Sequence, residues 1–146
     1  MRRVLMVFMG AMLTLGLGAT TALAQNPHIV GAPSASVSGN TLTLSASVAG
    51  LGNVETATFT LSGTVEVFSR CYTKSGNRPQ AANKRETITV SETRTFPVRN
   101  GRTNATFTVT PLSTLECPPG QRAVIESVTY DLALVYQGET LFTFTS

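Results

Sequence analysis

Thr56-Ala57-Thr58-Phe59-Thr60-Leu61-Ser62-Gly63-Thr64-Val65-Glu66-Val67-Phe68-Ser69-Arg70-Cys71 is the stretch on which the fold turns. One parity carries Ala57, Phe59, Leu61, Gly63, Val65, Val67, Ser69 and Cys71. The other carries Thr56, Thr58, Thr60, Ser62, Thr64, Glu66, Phe68 and Arg70. A period of two, with β-branched residues on the polar side, is the pattern of a half-buried strand. At about 3.3 Å per residue an unbroken strand from 56 to 71 would run roughly 50 Å, well beyond the usual 3–10 residues. The sequence therefore predicts a bend or bulge at Ser62-Gly63, and it places Cys71 at the inward end of the run.

The same alternation extends outward from this stretch. Upstream, Leu42, Leu44, Ala46 and Val48 share one face, and residues 25–33, with Pro27, Gly31 and Pro33, read as a flexible leader or an edge segment. Downstream, residues 70–85 form the longest break in the pattern and read as a loop. Ile88, Val90, Phe96 and Val98 then share a parity, but Glu92 and Arg94 fall on it too. That conflict predicts either a register shift near 91–95 or a segment that overhangs the core. Asn100-Gly101 signals a tight hairpin, since a type I′ turn wants positive φ at both positions. Ala105, Phe107 and Val109 alternate after it, and Pro111 opens a second loop that ends in Cys117-Pro118-Pro119-Gly120. Two final strands follow, one with Val128, Tyr130, Leu132, Leu134 and Tyr136 on one face and one with Phe142 and Phe144 inward. Seven to nine strands with no amphipathic helix predict an all-β protein, an immunoglobulin-like two-sheet antiparallel sandwich over 34–146; a jelly roll or small barrel is the alternative. The immunoglobulin hallmark of an inter-sheet disulfide packed on Trp is missing, because the chain has no Trp.

The first residues have a different character. Met1-Arg2-Arg3 is basic, 4–17 is mostly apolar, and Ala22-Leu23-Ala24 is a small-x-small cleavage signature. This is a secretory signal peptide expected to be cleaved after Ala24. Its apolar core is shorter than the about 20 residues a spanning helix needs, and no later run is long enough for a transmembrane segment. The protein is thus expected to be secreted, periplasmic or at the cell surface. Without Arg2 and Arg3 the mature chain keeps nine cations against eight acids. So near-neutral a chain gives no charge-based reason to expect nucleic acid as a partner. In an oxidising compartment the two cysteines, Cys71 and Cys117, most simply pair with each other.

Catalytic chemistry finds little purchase. His28 is the only histidine and sits in the leader, which argues against a nucleophile–histidine arrangement. The acids are scattered, and Glu92 with Glu126, both on inward parity, is the one conceivable carboxylate pair. Two cysteines and one histidine lack the ligand count and spacing of a zinc site. No metal, no cofactor and no enzymatic activity are expected. Asn104-Ala105-Thr106 fits a glycosylation sequon, but it is set down to chance beside so tight a hairpin.

What remains is the cationic stretch around Cys71. Arg70, Lys74, Arg78, Lys84 and Arg85 lie within 70–85, with Tyr72 among them, and a disulfide would bring Arg122 alongside. These residues are the candidate site for an anionic envelope polymer or an acidic protein partner. The final strand is a candidate edge for assembly, as in pilins.

The chain also resembles a group of small exported bacterial proteins. The likeness rests on Cys71…Gly76-Asn77-Arg78-Pro79-Gln80…Asn83-Lys84, on Cys117-Pro118-Pro119-Gly120-Gln121 and on Ser127-Val128-Thr129-Tyr130. It covers roughly 54–136, with Ser75-Gly76-Asn77 standing where the group has Gly-Gly-Asn. The resemblance implies export and a disulfide-bearing β fold, and no activity. The expected function is a secreted, non-enzymatic structural or binding module of the bacterial envelope that displays its Cys71/Cys117 end. The alternatives are a pilin-like or adhesin subunit assembling through its last strand, and a secreted inhibitor presenting the 72–85 loop.

Overall fold

The computed structural model describes residues 26–146; the expected signal peptide, 1–24, lies outside the described residues. Seven strands follow in order: β1 (His28–Ser38), β2 (Thr41–Ala49), β3 (Thr56–Thr73), β4 (Pro79–Pro97), β5 (Thr103–Val109), β6 (Gln121–Tyr136) and β7 (Glu139–Thr145). They build a three-stranded sheet in the order β1-β2-β5 and a four-stranded sheet in the order β4-β3-β6-β7, every pairing antiparallel. This is the expected all-β two-sheet sandwich. Its order is immunoglobulin-like: the first, second and fifth strands face the third, sixth and seventh, and the fourth pairs with the third instead of joining the first sheet. The two ladders do not join into a closed barrel.

The core follows from the alternation. Leu42, Leu44, Ala46 and Val48 of β2 and Ala105 and Phe107 of β5 pack against Ala57, Phe59, Leu61, Val65 and Val67 of β3 and Leu132, Leu134 and Tyr136 of β6. The ring of Phe59, fully buried, lies 5.0 Å from Tyr136 and 6.0 Å from Phe96, centroid to centroid. Each such buried Leu or Phe contributes about 1.5–3 kcal/mol through loss of apolar surface from water.

Several expectations change here. β3 is one continuous strand of 18 residues, with no register shift at Ser62-Gly63. Gly63 keeps both ladders in register, opposite Val90 on one side and Leu132 on the other. It does so at φ 146° with the Asp131 carbonyl so close that a Cβ would lie 2.1 Å from its oxygen. The glycine therefore allows a close approach of the neighbouring strand β6 rather than a turn. Residues 70–85 are not a long loop either. β3 runs to Thr73, β4 begins at Pro79, and only 74–78 lie outside the strands. This part of the ribbon shows no hydrophobic alternation because it extends past the three-stranded sheet and has no core to face on β4. Glu92 and Arg94 sit in an unshifted register, so the overhang explains them: on edge strand β4 they bond to each other at 2.8 Å, beyond the cover of the first sheet.

The leader reading of 25–33 gives way to the edge reading. His28, Ile29 and Val30 pair with Ala49, Val48 and Ser47, and a bulge follows before pairing resumes at Ser34. Gly31 at φ 71° and Pro33, which has no N–H to donate, lie within that bulge. β7 is an edge strand as expected. Among the described residues no helix is long and apolar enough to cross a membrane.

Candidate functional site

β3, β4 and β6 are long, and the compact core stops at Val67. Past it Ser69 and Cys71 still point inward and are fully buried. What closes over them is the connection from β5 to β6, residues 110–120, which has no secondary structure of its own. Cys71 and Cys117 are joined, their Cα atoms 5.7 Å apart. The bridge is thus present as expected, but it ties the interior of a strand to a connection, not one loop to another. Asn40 in the β1–β2 turn donates to the Pro111 carbonyl at 3.1 Å. The Lys74 N–H donates to the Gly120 carbonyl at 3.0 Å. The connection is therefore a strap fixed at both ends and in the middle.

Glu86 is the middle clamp. Its carboxylate accepts from the Ser113 hydroxyl at 3.2 Å and the Thr114 N–H at 3.0 Å, and from the Thr114 hydroxyl. The hydrogen bonds from Thr114, side chain first and then backbone, hold its pKa below the ordinary 4.5. A carboxylate with a depressed pKa stabilises the fold fully above its unfolded value, and that contribution is lost as pH falls through the folded value. Acidification below 4.5 should therefore lower the unfolding midpoint of the native chain. Glu86→Gln should start lower at neutral pH and show a flatter acid limb, read by thermal unfolding across an acid series.

The outer face of the same region carries the candidate residues. Arg70 lies 3.6 Å from Glu126, and Lys84 lies 3.6 Å from Glu86 while donating to the Thr114 hydroxyl. Arg85 pairs with Glu66. The guanidinium carbons of Arg70 and Arg85 stand 5.6 Å and 5.2 Å from the centroid of the Phe68 ring. The Tyr72 hydroxyl donates to Glu126, which raises the phenol above its ordinary 10.0. Arg122 donates to the Asn77 side chain across the turn. Lys74 and Arg78 are exposed at the tip, with no ion pair among the described residues. The structure therefore brings all seven candidates to one end of the sandwich but divides them. Arg70, Lys84 and Arg85 are ion-paired with acids from neighbouring strand positions. Lys74, Arg78 and Arg122 have no ion pair among the described residues.

The acids Glu66, Glu86 and Glu126 are the members that sequence reasoning missed. Their signal was the near balance of charge in the mature chain together with cross-strand pairing, which needs a register to apply. Glu126 also corrects the proposed carboxylate pair. A bulge in β6 opposite Phe68 and Ser69 turns it to the outer face, where it meets Tyr72 and Arg70; Glu92 stays on the core-facing parity of β4. The two carboxylates do not converge.

The tip itself is closed by hydrogen bonds. The Thr73 N–H donates to the Arg78 carbonyl at 2.9 Å, and the Arg78 N–H returns a bond to the Thr73 hydroxyl at 3.0 Å. Asn77 takes φ 48° and Gly76 φ 141° to close the turn. Beside it a shallow cleft of about 320 Å³ lies between the β1–β2 turn and the start of β6, lined by Gly39, Asn40, Arg122 and residues 123–125. Leu112 of the strap is 72% exposed. Charge, a cleft and an exposed apolar side chain thus share one end, an arrangement suited to contact with a partner surface. No protein-family model and no curated protein sequence matches the chain.

Proposed function

We propose that the protein is a non-enzymatic binding module of an oxidising, exported compartment, presenting its disulfide-tied end to an acidic partner of the bacterial envelope. The observation that carries this reading is the contrast among the cations. Nearby arginines and lysines are matched to acids, while Lys74 and Arg78 stand unpaired on a turn that the strap, Thr73 and Asn77 hold in place. Fixing those charges in advance lowers the entropy that binding must overcome. The disulfide and the signal-like N-terminus support export. The inhibitor alternative assumed a long loop over 72–85, and all but 74–78 of that stretch lies in β3 and β4, with a register shift at 80–82.

The test uses immobilised poly-L-glutamate as the probe. The wild-type protein should be retained and released by salt, as exposed charge pairs are. Lys74→Glu with Arg78→Glu should weaken retention about tenfold, given up to about 1 kcal/mol for each exposed pair. No retention of the folded wild type, or equal retention of the variant, would overturn the reading. Reversing Lys84 and Arg85 is a poor substitute, because it would set new acids beside Glu86 and Glu66.

A second reading draws on β7. It lies at the open edge of the four-stranded sheet and is held in register to its end, where the Tyr130 N–H donates to the Ser146 hydroxyl at 2.9 Å and the Ser146 N–H to the Tyr130 carbonyl at 3.1 Å. Subunit assembly by strand addition would use that edge. Sedimentation showing a monomer at all concentrations would count against it.

A further inference from the structure

The far end of the sandwich carries a second cationic feature, about 50 Å away along β3 at roughly 3.3 Å per residue. Thr56 pairs with Pro97 there, and the chain continues into a hairpin between β4 and β5. Asn100 at φ 52° and Gly101 at φ 71° form its turn. Arg99 and Arg102 exchange both backbone hydrogen bonds, at 2.9 and 3.0 Å. Such a directly opposed pair projects its side chains to one face, with Cβ atoms about 5 Å apart. Like charges in that position destabilise a hairpin. No acid offsets them: among the described residues neither arginine has an ion pair, and neither Asp nor Glu lines the space they border. The hairpin is nonetheless tightly placed. Leu51 N–H donates to the Gly101 carbonyl at 3.0 Å, Val98 N–H to the Glu55 carbonyl at 2.8 Å, and the Thr103 hydroxyl to the Pro97 carbonyl at 2.8 Å.

The space is a cleft of about 520 Å³, lined by Val30, Ser47, Pro97, Arg99, Arg102 and Asn104. Val30, Ser47 and Asn104 form one row across β1, β2 and β5, set by the register. The Ser47 hydroxyl donates to the Asn104 Oδ1 at 2.7 Å, which leaves the amide N–H donors of Asn104 for a ligand. Val30 and Pro97 supply an apolar side. A volume of this size is within the usual range for a small-molecule site, about 300–1,000 Å³.

We infer that this cleft binds a small hydroxylated organic anion of the sugar-acid class. The two guanidiniums would take its carboxylate in forked hydrogen bonds, the Asn104 amide would donate to a ring or hydroxyl oxygen, and Val30 and Pro97 would meet its C–H face. The anion would also relieve the repulsion between Arg99 and Arg102. This inference rests on different residues from the proposed partner-binding end and stands or falls apart from it.

Calorimetric titration and ligand-induced shifts of the unfolding midpoint test it on the folded chain, with D-glucuronate as probe, D-glucose as the uncharged control and sulfate and inorganic phosphate as bare anions. Glucuronate should bind saturably in the millimolar range or tighter and raise the midpoint; glucose and sulfate should not match it. Arg99→Gln and Arg102→Gln should each weaken binding about tenfold, the loss expected for one charge-assisted hydrogen-bonding group. Asn104→Asp, which sets a carboxylate in the cleft with both arginines intact, should abolish it. Both arginines are exposed and oppose each other, so without ligand the unfolding midpoints of the two Gln variants should lie close to or slightly above that of the native chain. Absence of saturable binding, binding that all three variants retain, or equal binding of sulfate, phosphate and glucuronate would overturn the inference.

Discussion

Reducing the Cys71–Cys117 bridge should lower the free energy of unfolding by about 4 kcal/mol, the chain-entropy value for closing a loop of 46 residues. The position of the bridge says where that loss falls. Cys71 is fully buried at the inward face of β3, past the end of the core cluster, and Cys117 belongs to a strap with no secondary structure of its own. Without the bond the strap is held by Glu86, Asn40 and the Lys74–Gly120 backbone bond. The overrun of the four-stranded sheet would then expose Ser69 and Cys71 to water. Urea unfolding of the oxidised protein, the reduced protein and a Cys71→Ala, Cys117→Ala double variant is the measurement. The account expects the reduced and doubly substituted forms to be destabilised alike. A loss under about 1 kcal/mol would mean that the strap holds without the bond.

The second large effect belongs to Gly63. Gly63→Ala should cost about 4 kcal/mol, combining a strained backbone conformation with a clash that has nowhere to relax. Its φ of 146° disfavours any L side chain, and the added Cβ would meet the Asp131 carbonyl oxygen at 2.1 Å. Gly76 supplies the control. It has nearly the same φ, 141°, but the nearest atom to a built Cβ is the Thr73 hydroxyl at 3.8 Å. Gly76→Ala should therefore cost only the conformational part, about 1–2 kcal/mol. Chemical denaturation of both variants separates strain from crowding. Equal losses at the two glycines would show that the close approach of β3 to β6 does not govern Gly63.

These two positions also show how far the sequence could be read. Alternation identified the strands, their inward faces and Cys71 as an inward residue, because burial on one face imposes a period of two whatever the topology. Asn100-Gly101 was legible as a hairpin because its backbone requirement is local. Gly63 was misread as a bend because a glycine forced by a neighbouring strand looks the same in sequence as one that turns the chain. The stretch 79–85 reads as loop because an edge strand beyond the core has no apolar face to alternate. Arg70, Lys74, Arg78, Lys84, Arg85 and Arg122 do come together at one end, since β3, β4 and β6 share that end and the Cys71–Cys117 bond draws the strap to it. Their division into matched and unmatched charges was not legible, since Glu66, Glu86 and Glu126 reach those cations only through strand register and a bulge. The Arg99 and Arg102 pair follows from the Asn100-Gly101 turn, because the residues that flank a two-residue hairpin loop stand directly opposed.

We propose the disulfide-tied tip as the surface presented to an acidic partner. Mapping amide chemical shifts by NMR while titrating poly-L-glutamate into the oxidised protein tests it most directly. The account predicts that the largest perturbations gather at 72–80 and 118–124, around Lys74, Arg78 and Arg122, and weaken with added salt. Perturbations centred on 84–94, confined to the hairpin at 99–104, or spread over all exposed cations alike would contradict it.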